Sequence, residues 1–168
     1  IPGEEEHLHA HLKRRKEQGV RMNVNHLGEA VLGEEEAEKR LETYIKDMED
    51  PAIEYISVKI STIYSQISSL AFDHSVEILV DRLSTLFRAA KSNFYERLDG
   101  TQVPKFVNLD MEEYRDLEIT YEAFTQTLDR DEFKNHSAGI VLQAYLPDSF
   151  KILQKITDKD IKTALYQQ

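Results

Sequence analysis

Apolar positions along this chain follow two alternating rhythms. In Ile53-Glu-Tyr-Ile-Ser-Val-Lys-Ile60, Lys105-Phe-Val-Asn-Leu-Asp110 and Gly139-Ile-Val-Leu-Gln-Ala-Tyr145 the side chains sort onto two sides at every second position, the period of a strand. Arg21-Met-Asn-Val-Asn25 is a shorter run of the same kind. Between these runs the spacing changes to three and four. Ala37, Leu41, Tyr44, Ile45 and Met48 form one stripe; Val76, Leu79, Val80, Leu83, Leu86, Phe87 and Ala90 a second; Tyr114, Leu117, Tyr121, Phe124 and Leu128 a third. Each predicts a helix with one buried face. Gly33-Glu-Glu-Glu36 starts the first with negative charge at the positive end of the helix dipole, and Asp50-Pro51 stops it. A Ser-rich loop is expected from Ser61 to Ser69, an N-cap at Asp73 or Ser75, and a loop around Asp99-Gly100 and Pro104. Pro147-Asp-Ser149 opens a last helical segment carrying Phe150, Leu153 and Ile156, and Lys151 to Gln168 reads as a polar helical tail. Residues 1–19 form a polar leading helix or arm anchored by Leu8 and Leu12, and residues 20–168 a single domain.

Strand followed by helix, repeated about four times, predicts an α/β fold with a parallel sheet and right-handed crossovers. One side of each strand is apolar: Ile56, Val58 and Ile60; Val107 and Leu109; Ile140 and Leu142. The other side carries Ser57 and Lys59, then Phe106, Asn108 and Asp110, then Val141, Gln143 and Tyr145. A doubly wound sheet needs apolar residues on both faces, whereas a TIM-type (β/α)8 barrel tolerates polar groups on its inner face near the carboxyl ends of the strands. The pattern favours the barrel. Such a barrel has eight strands and typically ~250 residues, so the expected object is a half-barrel or fragment.

Composition narrows the chemistry. A formal charge of −10 argues against a general nucleic-acid or anionic-membrane surface, and Lys13-Arg-Arg-Lys16 is read as a solvated helix face. The absence of cysteine excludes disulfides, thiolate metal sites and a cysteine nucleophile. No apolar run approaches the roughly 18 residues of a membrane span, which predicts a soluble protein. His7, His9 and His11 alternate, and neighbours two apart do not share a helix face, so no metal is expected there.

Lys59, Asp110 and Gln143 fall at strand ends, where parallel sheets keep their sites. The lysine can hold a substrate carboxylate by charge-assisted hydrogen bonds, and the aspartate an amine. Asn23, Asn25 and Asn108 add neutral groups to the same mouth. The plainer alternative is that Lys59 and Asp110 form an ion pair closing the interior. Glu112 and Glu113 are expected to enrich a first helical turn with negative charge. Glu29, just beyond the first strand, is placed to gate the mouth or meet an arginine. Neither glycine-rich nucleotide fingerprint is present.

Four stretches in order, His26-Leu-Gly-Glu-Ala-Val31, Ile56-Ser-Val-Lys-Ile-Ser61, Asn108-Leu-Asp-Met-Glu-Glu113 with Asp116-Leu-Glu-Ile119 behind it, and Gly139-Ile-Val-Leu-Gln-Ala-Tyr145, make the chain resemble the flavin-dependent proline dehydrogenase family, including the catalytic barrel of bifunctional proline utilization A proteins. The resemblance implies a distorted barrel that binds FAD without a dinucleotide fingerprint, oxidises L-proline to 1-pyrroline-5-carboxylate in proline catabolism and passes electrons to a quinone. It implies that Lys59 binds the proline carboxylate, that Asp110 belongs to the active-site network, that Glu29 pairs with a substrate-binding arginine, and that Gln143 and Tyr145 contact the flavin. No counterpart of the family's paired arginines follows Tyr145, so the first half of the barrel is expected. Also implied are a cytoplasmic location and, for the parent protein, peripheral contact with the inner membrane. The competing reading is a non-catalytic half-barrel whose first and fourth strands, left as edges, pair with a second copy or a partner.

Overall fold

A computed structural model describes residues 4–26, 31–158 and 163–166. The strands and helices alternate as β1 (Asn23–Asn25), α2 (Glu34–Glu49), β2 (Tyr55–Lys59), α4 (Phe72–Ser92), β5 (Phe106–Asp110), α5 (Leu117–Leu128), β6 (Ala138–Val141), α6 (Pro147–Asp158) and β7 (Thr163–Tyr166). Helix α1 (Glu5–Glu17) leads, a short α3 (Ile60–Ile63) follows β2, and β3 (Phe94–Glu96) and β4 (Gln102–Pro104) lie between α4 and β5. The five-stranded sheet is wholly parallel, in the order β1-β2-β5-β6-β7, so each new strand is added beside the last. This is the winding expected of a barrel, and the arc holds five strands.

The apolar sides of the central strands lie where their alternation predicts. Ile56, Val58, Val107, Leu109 and Ile140 are fully buried, in one core with Tyr44 and Met48 of α2, Leu79, Leu83, Leu86 and Phe87 of α4, Phe124 of α5, and Ile152 and Ile156 of α6. Helix α4 packs against both α2 and α5. Burying a Leu- or Ile-sized side chain is worth ~1.5–3 kcal/mol, so this layer dominates the stabilisation. Leu12 of α1 reaches the same core, and His9 meets Asp50 at 2.5 Å, which docks the leading helix. His7 lies 3.7 Å from Glu4, and His11 Nδ1 bonds Arg14. Among the described residues no set of three or more potential ligands is grouped for a metal ion, and no helix is long and apolar enough to cross a membrane.

Several expectations are corrected. The tail after Lys151 is not all helix: α6 ends at Asp158 and residues Thr163–Tyr166 form β7, so the fourth strand of the parallel sheet is paired on both sides. A strand of four residues carries too little periodicity to be read from sequence. The segment around Asp99-Gly100 is an antiparallel hairpin, β3 with β4, whose turn uses Gly100 at φ +80. Neither Asp73 nor Ser75 caps α4, because both lie inside it behind Ala71. Ser75 is fully buried and exchanges hydrogen bonds with the backbone of Ser68, which tethers the preceding loop. The Ser-rich segment begins as α3. Tyr114 is 58% exposed in a short 3-10 turn ahead of α5, and its hydroxyl bonds Asp148 at 2.5 Å.

One buried group makes stability depend on pH. His136 packs against the rings of Phe87 and Phe133 at centroid distances of 5.3 and 5.9 Å, and burial pushes its pKa down to about 4. Its folded value lies below its unfolded 6.5, so the stabilisation is complete above pH 6.5 and is lost as pH falls towards 4. At ~1.4 kcal/mol per pH unit the loss is of order 3 kcal/mol. Urea melts of the chain and of His136→Phe between pH 7 and 4 check this: the variant should lose markedly less stability across that interval.

Candidate active site

The inner face of β1, β2 and β5 is polar because period-two alternation commits the opposite face to the core. Registered pairing places Asn25, Ser57, Asn108 and Gly139 in one row across the sheet, and Lys59 beside Asp110 in the row above. Ser57 and Asn108 are buried. Asn23 and Asn108 both donate to Ser57 Oγ, at 2.8 and 3.2 Å. Asn108 Nδ2 also donates to Asp110 Oδ1 at 2.9 Å, and Asn25 Nδ2 to Asp110 Oδ2 at 3.1 Å. A relay of neutral amides and one hydroxyl therefore holds the aspartate. Asn108 Oδ1 is a buried acceptor with no donor among the described residues, and a Cβ on Gly139 would clash with it. The bare glycine is what lets β6 approach, since that Cβ would also come within 3.1 Å of the Phe106 ring.

Lys59 is not paired with Asp110 by a direct ion pair. Its ammonium contacts Glu112 Oε1 at 2.5 Å, and Ser61 Oγ donates to Glu112 Oε2 at 2.9 Å. Glu112 lies in the loop between β5 and the 3-10 turn at Tyr114–Asp116, so it is not in a first helical turn as expected. It meets Lys59 because the loop folds back over the strand ends. Gln143 Nε2 donates to the Glu112 backbone oxygen at 3.4 Å. Lys59, Asp110 and Gln143 thus come together as anticipated, with Glu112 between the lysine and the glutamine. Tyr145 does not join them: β6 ends at Val141, and Tyr145 is 76% exposed in the following turn with no hydrogen bond among the described residues. Glu29 lies outside the described residues.

Burial raises the Asp110 pKa above the usual carboxylate value, Lys59 pulls it back down, and Glu112 pushes it up. The lysine is positioned from behind. Thr62 Oγ1 donates to the Lys59 carbonyl at 2.7 Å and contacts the buried Tyr44 hydroxyl at 3.2 Å. His26 stacks edge-on against Tyr44 and binds Asp47 at 2.5 Å. Sequence reasoning missed Glu112, Ser61 and this Tyr44–Thr62 support. Ser61 lies in α3, past the end of β2, so the strand alternation carries no signal for it.

The fold has known relatives. A family model described as proline dehydrogenase matches residues 8–164. This chain belongs to the proline dehydrogenase family. Among solved structures, proline utilization A from Corynebacterium freiburgense is 42% identical with a TM-score of 0.82, covering 92% of this chain and 15% of that one. The Bdellovibrio bacteriovorus protein inactivated by N-propargylglycine is 33% identical with a TM-score of 0.74, covering 94% of this chain and 18% of that one. A Bradyrhizobium japonicum mutant, at 20% identity and a TM-score of 0.73, shares the fold. The chain therefore spans under one fifth of the length of these relatives. No curated protein matches.

The opposed influences on Asp110 give a signed prediction. Lys59→Met should move the Asp110 midpoint further up and Glu112→Gln should move it down, as followed by carboxyl-carbon NMR between pH 2 and 8. Shifts of the same sign in both variants would sink the proposed arrangement.

Proposed function

We propose that this chain forms the carboxylate-binding part of a flavin-dependent proline dehydrogenase site, with L-proline as substrate and FAD as cofactor. The observation that carries the reading is that Lys59 Nζ and Ser61 Oγ already hold a carboxylate between them, that of Glu112. The same two donors suit the carboxylate of proline, which enters as Glu112 swings away. Asp110, with its charge disfavoured by burial, accepts from the ring nitrogen, and the amides of Asn25 and Asn108 keep it oriented.

The donor set suits a flavin. Its ring presents carbonyl oxygens and ring nitrogens, and Gln143 Nε2, on a long 3.4 Å bond, can turn to meet them. Tyr145, exposed at the end of the same segment, is a second contact for the cofactor. Bound FAD supplies the acceptor for the two electrons and two protons that leave the C–N unit of proline to give 1-pyrroline-5-carboxylate. Quinone as final acceptor, Glu29 as partner of a substrate-binding arginine, a leading arm at residues 1–19 ahead of a barrel at 20–168, and cytoplasmic residence with peripheral membrane contact of the parent protein complete the reading. They rest on the family likeness.

Flavin content tests this directly. The purified chain, incubated with FAD and freed of excess, is expected to keep visible flavin absorbance and to bleach with proline under anaerobic conditions. N-propargylglycine, which inactivates the Bdellovibrio protein, should block that bleaching. Lys59→Met should weaken a ring-carboxylate analogue by about tenfold or more, the worth of a charge-assisted hydrogen bond. An unchanged affinity would remove the lysine from the role.

A second reading has its own observation. Strand β1 is hydrogen-bonded only to β2, leaving a parallel edge among the described residues. Open edges invite pairing with another strand, so the chain would then act as a non-catalytic half that closes against a second copy. Sedimentation across a hundredfold concentration range decides: a mass rising towards twice 19.5 kDa supports pairing, and a constant 19.5 kDa excludes it.

A further inference from the structure

A cavity of about 290 Å³ opens at the amino-terminal end of the sheet. Glu54, in its wall, directly precedes β2, while Lys59 closes that strand, so the two sites lie roughly 16 Å apart at ~3.3 Å per residue. Its lining joins three stretches of the chain: Lys16 at the end of α1 with Arg21 before β1, Glu54, and Tyr95, Arg97, Leu98 and Asp99 in the β3–β4 hairpin.

We propose that this cavity binds a small organic monocarboxylate with an apolar body. Two guanidinium groups converge on one oxygen of Glu54, Arg21 at 2.8 Å and Arg97 at 3.1 Å, and Glu54 is only 5% exposed. Arg97 Nε is buried without an acceptor among the described residues, so this guanidinium keeps an unused donor. Lys16 adds a third positive charge, its ammonium 4.9 Å from the centre of the Tyr95 ring. Three cations against Glu54 and Asp99 leave a net charge of +1, in a chain whose total is −10. That balance matches one negative charge; a doubly charged phosphate would overcompensate it beside two carboxylates. Planar guanidinium forks match the geometry of a carboxylate. Val20 and Leu98, 44% and 60% exposed, give the mouth two apolar walls for the body of the ligand.

The test uses benzoate, neutral benzamide and inorganic phosphate, titrated into the chain at low ionic strength while backbone amide NMR shifts are followed. Benzoate should saturate shifts at Gly19, Leu98 and Asp99, with benzamide and phosphate each at least tenfold weaker. Arg97→Gln should abolish the response. Because Arg97 also neutralises the buried Glu54, Lys16→Gln is the second variant: it leaves both guanidinium groups on Glu54, removes the Lys16 bond to the Glu96 carbonyl, and should weaken benzoate at least threefold with amide spectra unchanged away from that contact. Equal binding of benzamide, tighter binding of phosphate, benzoate shifts confined to the surroundings of Lys59, or a Lys16→Gln protein that binds benzoate as before would each overturn the proposal.

Discussion

Period-two alternation in β2 and β5 is the constraint on which the rest of this structure depends. Ile56 and Val58 on one strand, and Val107 and Leu109 on the next, are fully buried in the core shared with the helices. Their alternates Ser57, Lys59, Asn108 and Asp110 must then face the other way. A one-residue slip in either strand would carry the polar set into the core and the apolar set into the site, so register is strongly specified. Function and stability are decided by the same hydrogen-bonded ladder.

On that inner face the charges are arranged to be held rather than neutralised in place. Asp110 is kept by amides and a partly buried setting, and Lys59 is kept by a carboxylate from a loop. A loop partner can leave at modest cost, whereas a strand partner locked by the ladder cannot. The Tyr44–Thr62 contact supports the backbone beneath the lysine, so Lys59 is braced from α2 independently of Glu112. At the other end of the same strand, Glu54 organises Arg21, from the segment before β1, and Arg97 of the hairpin. One five-residue strand thus separates two polar centres of different character.

Much of this was legible in the residues. Strands with clear alternation and helices with long stripes lie where they are expected, and Lys59 and Asp110 stand side by side at strand ends, while Gln143, two residues past β6, reaches the Glu112 backbone from the following loop. The misreadings share a cause. Tyr114 fits a helical stripe by spacing but sits one turn too early to be covered, β7 is too short to show a period, and Tyr145 belongs to a segment whose strand ends at Val141. Glu112 and Glu113 read as a helix start because two acidic residues precede an apolar run. The fold uses them in a loop instead.

The sequence by itself determined which faces are apolar, where the strands carry their polar ends, and the order of motifs that places the chain in its family, since all of these are local properties of spacing and residue type. Tertiary structure alone decided the partners. That Lys59 meets Glu112 rather than Asp110, that Gly139 makes room for Asn108, and that Arg21 and Arg97 share Glu54 depend on how loops and hairpins fold back across the ends of the sheet. Those approaches are set by long-range packing, for which no short-range pattern along the chain is a record.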